Sequence, residues 1–169
     1  MIPAGDDQAP TALTLLCGGG FLFETTRLLE QIGPRERFAF LATEFGGIAG
    51  EDGIPDGAML PIPSFSTMTD ASLLKSAKAF AAAFAITMGV LRQRSITSVV
   101  VVGASYALPM LMAARLKRRR AIYIETITRV DQLSTTGRAV YFFRLATTYI
   151  VQWPYLQQRY PRTTLGTVL

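Results

Sequence analysis

Three carboxylates, Glu24, Glu44 and Glu125, fall just past the ends of apolar runs. A carboxylate so placed can take the proton of a hydroxyl nucleophile or hold a sugar hydroxyl. Glu24 also lies in the first turn of a candidate helix, where the helix dipole alone favours an acid. Arg129 follows Glu125 by four positions in YIETITR. It either neutralises Glu125 as a structural pair or grips an anion such as phosphate. Gly18, Gly19 and Gly20 separate LTLLC from FLFETTRLLEQI. Bare backbone at that junction lets N–H groups approach a phosphate at a helix N-terminus. The turn fits neither G-x-x-x-x-G-K-[ST] nor G-x-G-x-x-G, so alone it is a weak signal, and a ligand-free strand–helix turn is the alternative. The chain contains no His. Zinc hydrolysis and Ser-His catalysis are therefore excluded, and no metal site is expected. The lone Cys17 rules out an internal disulfide and fits a reducing compartment.

These residues need elements to hold them. Apolar runs at 13–17, 38–43, 59–63, 98–103, 121–125 and 148–152 read as strands; SVVVVG is the clearest, an unbroken β-branched run of the buried parallel kind. Helical spacing fits 21–32, 71–94 (capped by Asp70), 105–119, 134–146 and a short 154–160. The stretch 44–57 is rich in Gly, Pro and acid and reads as a loop. Alternation of strands and helices predicts an α/β fold, a Rossmann-like, mostly parallel sheet with helices on both faces. Ligands then sit at the carboxyl ends of the strands, on loops starting at Cys17, Thr43, Gly103, Glu125 and Gln152.

At 169 residues the chain is expected to form one domain, residues 1–169, with the first ten flexible. MIPAGDDQAP lacks a basic n-region and is not expected to act as a signal peptide. Half the residues are hydrophobic and mean hydropathy is +0.30. No apolar run reaches the roughly 18–20 residues that span a bilayer. Net charge is +5, with basic clusters at 115–120 and 92–94. The helix 71–94 is apolar over most of its circumference. It either lies on a membrane, with Lys75, Lys78, Arg92 and Arg94 at the headgroups and Phe80, Phe84, Met88 and Leu91 toward lipid, or packs on the sheet. Trp153, Pro154 and Tyr155 form either a docking surface or a core anchor. Nucleic acid is disfavoured, because the basic residues are not interleaved with stacking aromatics.

CGGGFLFETTRLL, VVVVGASYALPMLMAARL and YIETITRVDQLSTTGRAVYFFRLATTYIVQWPYLQQRYP, in this order, resemble the PssD-like bacterial exopolysaccharide proteins. They resemble equally the eukaryotic membrane-anchoring subunit of the two-subunit transferase that adds the second GlcNAc to dolichol diphosphate. Tyr123 to Pro161 is the most specific stretch.

The resemblance implies the acceptor-binding N-terminal half of a GT-B glycosyltransferase, similar to the N-domain of MurG. The implied partner is a small GT-B C-domain-type protein that binds most of the UDP-sugar, so no cofactor is held here. The implied acceptor is a polyprenyl-diphosphate-linked saccharide at the cytoplasmic face of the inner membrane, contacted peripherally. Gly18, Gly19, Gly20 and Arg129 would face its diphosphate, and Phe21, Ser105 and Thr126 would line the cleft. UDP-glucuronic acid is the favoured donor. The family turn runs Gly-Gly-His, whereas Phe21 stands at the His position here. Proton transfer then falls to Glu125, Glu24 or Glu44, or to the partner. The alternatives are a non-catalytic membrane scaffold that recruits a transferase and a stand-alone nucleotide-binding domain.

Overall fold

The computed structural model describes residues 10–32, 37–63 and 73–168. Residues 1–9, Asp70 and the first two residues expected for the long helix lie outside this set. The elements run β1 (Ala12–Leu16), α1 (Gly20–Ile32), β2 (Phe38–Ala42), β3 (Ala58–Pro61), α2 (Leu73–Val90), β4 (Ser98–Val102), α3 (Ala107–Leu116), β5 (Arg120–Ile124), α4 (Thr135–Phe142), β6 (Thr148–Val151), α5 (Pro154–Arg159) and β7 (Thr164–Leu165). The strands form one parallel sheet in the order β3-β2-β1-β4-β5-β6-β7. The expected α/β class and element order hold, with one addition. The two-residue β7 was not anticipated, because Thr164 and Leu165 are too few to show a strand pattern.

The continuous apolar runs are strands because both faces of the sheet are covered. In β4, Val99 and Val101 enter the larger core with Met110 and Leu111 of α3. The alternate residues Val100 and Val102 meet Leu28 of α1 on the other side. Burying each such valine contributes about 1.5–3 kcal/mol before entropy is counted. Thr14, the polar residue inside β1, donates its hydroxyl to Val100 O at 2.8 Å and so leaves no unmet donor.

The long helix differs from expectation. Its buried stripe is narrow: Ala79, Ala83, Thr87 and Val90. Leu91 is only 1% exposed, just past the helix end, and Phe84 and Met88 are half-buried against the larger core. Core packing therefore uses part of the apolar surface assigned to lipid, and Phe80 is half-buried as well. Leu73 and Leu74 at its start, with Lys75 and Lys78, are exposed. As a helix, Leu73–Val90 has 18 residues, a mean hydropathy of 1.4 and 22% of its residues buried, enough by length and composition to cross a bilayer. This corrects the expectation from the run alone, which Lys75 and Lys78 interrupt.

Candidate functional site

Because every strand is parallel, the carboxyl ends of β1, β4 and β5 meet at one edge. Loops there carry the glycine turn, Gly103–Ser105 and Glu125–Arg129. Gly18 is needed for close approach: a Cβ on it would fall on the Phe45 backbone carbonyl. Gly19 adopts φ 73°, which only glycine enters freely, and both it and Gly20 border open space. The turn leads straight into α1, whose first N–H groups lack intrahelical partners.

A cleft of about 230 Å³ opens at this edge. Of the residues singled out from sequence, Phe21, Ser105, Thr126 and Arg129 line it together. Six of its ten lining residues bear hydroxyls: Ser105, Thr126, Thr128, Ser134, Thr135 and Thr136. Hydroxyls, one guanidinium and the first turn of α4 make a wall suited to a polyol or phosphate. Ser134 caps α4 by accepting from Gly137 N at 2.8 Å. The Phe21 ring packs where a Cβ on Gly103 would sit, so Gly103 makes room for it. Gly18, Gly19, Gly20 and Glu44 do not line this cleft. Glu44 is exposed on the loop after β2. Cys17 beside the turn is half-buried, and burial pushes its thiol up, away from the nucleophilic thiolate.

Glu24 and Glu125, the candidate bases, are both buried and hydrogen-bonded to the loop after β5. Glu125 is fully buried. Its Oε1 accepts from Thr126 N at 3.2 Å and faces the Tyr123 hydroxyl at 3.5 Å. Its Oε2 accepts from Ser134 N at 3.2 Å and the Tyr149 hydroxyl at 2.9 Å. Glu24 is 2% exposed and accepts from the Thr126 hydroxyl, from Ile127 N at 3.0 Å and from Gln152 Nε2 at 2.9 Å. Both carboxylates thus grip the loop after β5 from inside. Neither residue lines the cleft. Burial, then the Glu125 charge, push the Tyr123 and Tyr149 hydroxyls far above the ordinary phenol range. Arg129 forms no ion pair with Glu125; it is exposed and lines the cleft. The structural Glu–Arg pair is therefore not formed.

Trp153 reinforces the same loop: its Nε1 donates to Ile127 O at 2.7 Å, while the ring stays 36% exposed. Pro154 takes the first position of α5, and Tyr155 is 52% exposed. Sequence reasoning missed Gln152, Tyr149 and Gly137 as members of this network. Only the position of Gln152 at a strand end marked it out.

A parallel seven-stranded sheet with its cleft at the strand carboxyl ends defines the class: a Rossmann-like α/β domain. It superposes on MurG from Acinetobacter baumannii with a TM-score of 0.62 at 20% identity, covering 86% of this chain and 42% of that one. With UDP-N-acetylglucosamine 2-epimerase from Rickettsia bellii the TM-score is 0.64 at 12% identity, covering 95% and 46%. At such identities the likeness establishes the fold alone. Residues 62–169, more than half of the chain, match the family described as "Oligosaccharide biosynthesis protein Alg14 like", and the chain belongs to that family. It is similar to the UDP-N-acetylglucosamine transferase subunit ALG14 of Eremothecium gossypii, 44% identical over 66 residues, which are 39% of this chain and 27% of that protein. The corresponding human subunit is 38% identical over 55 residues, 32% of this chain and 24% of that protein. The matched stretch thus spans about a quarter of the length of these relatives.

Proposed function

We propose that this chain is the acceptor-binding, membrane-associating subunit of a two-chain inverting glycosyltransferase. The observation that carries the reading is the hydroxyl-rich cleft, with Arg129 in no ion pair among the described residues, at the carboxyl edge of a sheet matched by less than half of MurG. Such a domain supplies one wall of a two-domain cleft, and at about 230 Å³ the cavity falls below the ~300–1,000 Å³ of complete ligand pockets. A partner chain would close it and bind the UDP-sugar. The names of the curated relatives favour N-acetylglucosamine as the transferred sugar. Glucuronic acid and exopolysaccharide assembly rest on the PssD-like resemblance alone and find no support in those relatives. The acceptor would be a polyprenyl-diphosphate saccharide at the cytoplasmic membrane face, its diphosphate at Arg129 and the first turn of α4.

Inversion needs a base for the acceptor hydroxyl. With Glu24 and Glu125 buried and bonded, that base is a group of the partner, or Glu44 where the partner's wall brings the acceptor to the loop after β2. The same burial favours a second reading, a non-catalytic scaffold that recruits the transferase.

The test is affinity capture of the tagged chain from native membranes, followed by transfer assays on the captured complex with UDP-GlcNAc and UDP-glucuronic acid. Transfer that requires a small co-purifying chain is expected. Activity of the lone chain would reject the two-chain reading. Full turnover by the Arg129→Ala and Glu44→Gln complexes would leave only the scaffold.

A further inference from the structure

Phe21 is the second residue of α1, directly after the glycine turn. Its neighbours in the cleft are hydroxyls, a guanidinium and the small residues Gly103 and Ala104. Among the described residues it is the one aromatic side chain in that wall. A cleft built only to hold an anion has no use for a benzyl group. A phosphate oxygen set against it would lose water and gain no donor.

The ring is held from two directions. At the end of β4, Gly103 has φ 52° and Ala104 has φ 53°, the left-handed region that alanine rarely enters. This turn off the strand presents bare backbone, and the Cδ1–Cε1 edge of Phe21 occupies the space a Gly103 Cβ would need. The ring also packs against the larger core, yet it stays half-buried and faces the cleft with the remainder. Three residues along α1, on the same helix face, Glu24 accepts from the Thr126 hydroxyl and from Ile127 N at 3.0 Å. One helix therefore carries the ring and fixes the loop that bears Thr126, Thr128 and Arg129. The spacing between the aromatic face and that polar wall is set by a helix instead of a mobile loop.

We propose that Phe21 is the platform for the sugar ring of the acceptor, with the Ser105 and Thr128 hydroxyls at the sugar's rim. This assignment rests on the acceptor-binding reading above and names the part of the acceptor that each wall meets. A pyranose is polar round its rim and apolar on its faces, where C–H bonds stand. Those C–H groups gain dispersion contact over an aromatic ring and lie against its negative face. Hydroxyls beside a half-open ring match both properties at once. A bare diphosphate has no apolar face, and an isoprenoid chain has no hydroxyls to offer.

The test uses the captured two-chain complex. The acceptor is a short-chain polyprenyl-diphosphate N-acetylglucosamine, and the same polyprenyl diphosphate without its sugar serves as a competitive inhibitor. Phe21→Leu keeps apolar bulk against Gly103 but has no flat face. Thermal unfolding verifies that it is folded, and Phe21→Met takes its place if it is not. The acceptor KM should rise about three- to tenfold. The donor KM and the inhibition constant of the sugar-free diphosphate should stay within about twofold. An unchanged acceptor KM would reduce Phe21 to packing for Gly103 and overturn the proposal. An equal rise in the sugar-free inhibition constant would move the ring to the lipid or the diphosphate, and a rise in donor KM alone would move it to the nucleobase. Either result overturns the proposal and leaves the acceptor-binding reading standing. No transfer to the prenyl-diphosphate acceptor by the wild-type complex would overturn both.

Discussion

Gln152 donates its side-chain amide to Glu24 across 128 residues of sequence, Nε2 to Oε2 at 2.9 Å. The same nitrogen donates to Glu125 O at 3.0 Å, and Gln152 Oε1 accepts from Val168 N at 3.2 Å. One buried amide therefore ties α1, the end of β5 and the chain beyond β7. With Glu125 on Thr126 N and Trp153 on Ile127 O, this junction holds the cleft loop.

Glu24→Gln converts an acceptor of three donors into a group whose own NH₂ must face a donor. The expected loss is about 2–4 kcal/mol of stability, measured by denaturant unfolding. Because Thr126 and Ile127 would be released, proteolysis within 125–130 should accelerate as well. An unchanged midpoint would show that Glu24 does not hold the loop.

Gly137 sits in α4 where a Cβ would strike Glu125 Oε2 and the Tyr149 hydroxyl. Gly137→Ala should raise helix propensity yet destabilise the protein by about 2–3 kcal/mol, because Glu125 must leave its tyrosines. A net gain in thermal stability would mean the contact relaxes freely.

Alkaline pH should weaken the fold through the same site. Tyr123 and Tyr149 ionise at higher pH folded than unfolded. Their contribution is complete below the unfolded phenol value near pH 10 and declines as pH rises above it, by at most about 1.4 kcal/mol per pH unit for each tyrosine. Tyr149→Phe should flatten that decline between about pH 10 and 11.5. An identical pH profile for the variant would place the alkaline transition elsewhere.

Arg129 touches no carboxylate of the network, so Arg129→Ala should change stability by less than about 0.5 kcal/mol. In the captured complex it should raise KM for the diphosphate acceptor by about tenfold or more. A stability loss with unchanged KM would make Arg129 a structural residue.

Much of this architecture was legible because strand and helix periods are local signals. SVVVVG can only be a buried strand, and the glycine turn must follow a strand and open a helix. Phe21, Ser105, Thr126 and Arg129 could be grouped because parallel α/β sheets place such loops on one edge. The two-residue β7 escaped because it has too few residues for a period. For the 71–94 helix both membrane and sheet contact stay open in the sequence, because hydrophobicity along a chain does not say which side meets the core.

The sequence by itself determined the parallel α/β fold, the order of its elements and the edge that bears the cleft, since composition and period act within short windows. Tertiary structure alone decided that Glu24 and Glu125 are buried and bonded to the cleft loop, that Gly137 exists to admit Glu125, and that Phe21 rests on Gly103. Those outcomes depend on burial and on contacts between residues far apart in the chain, and a carboxylate has the same letter whether it faces water or three hydrogen-bond donors.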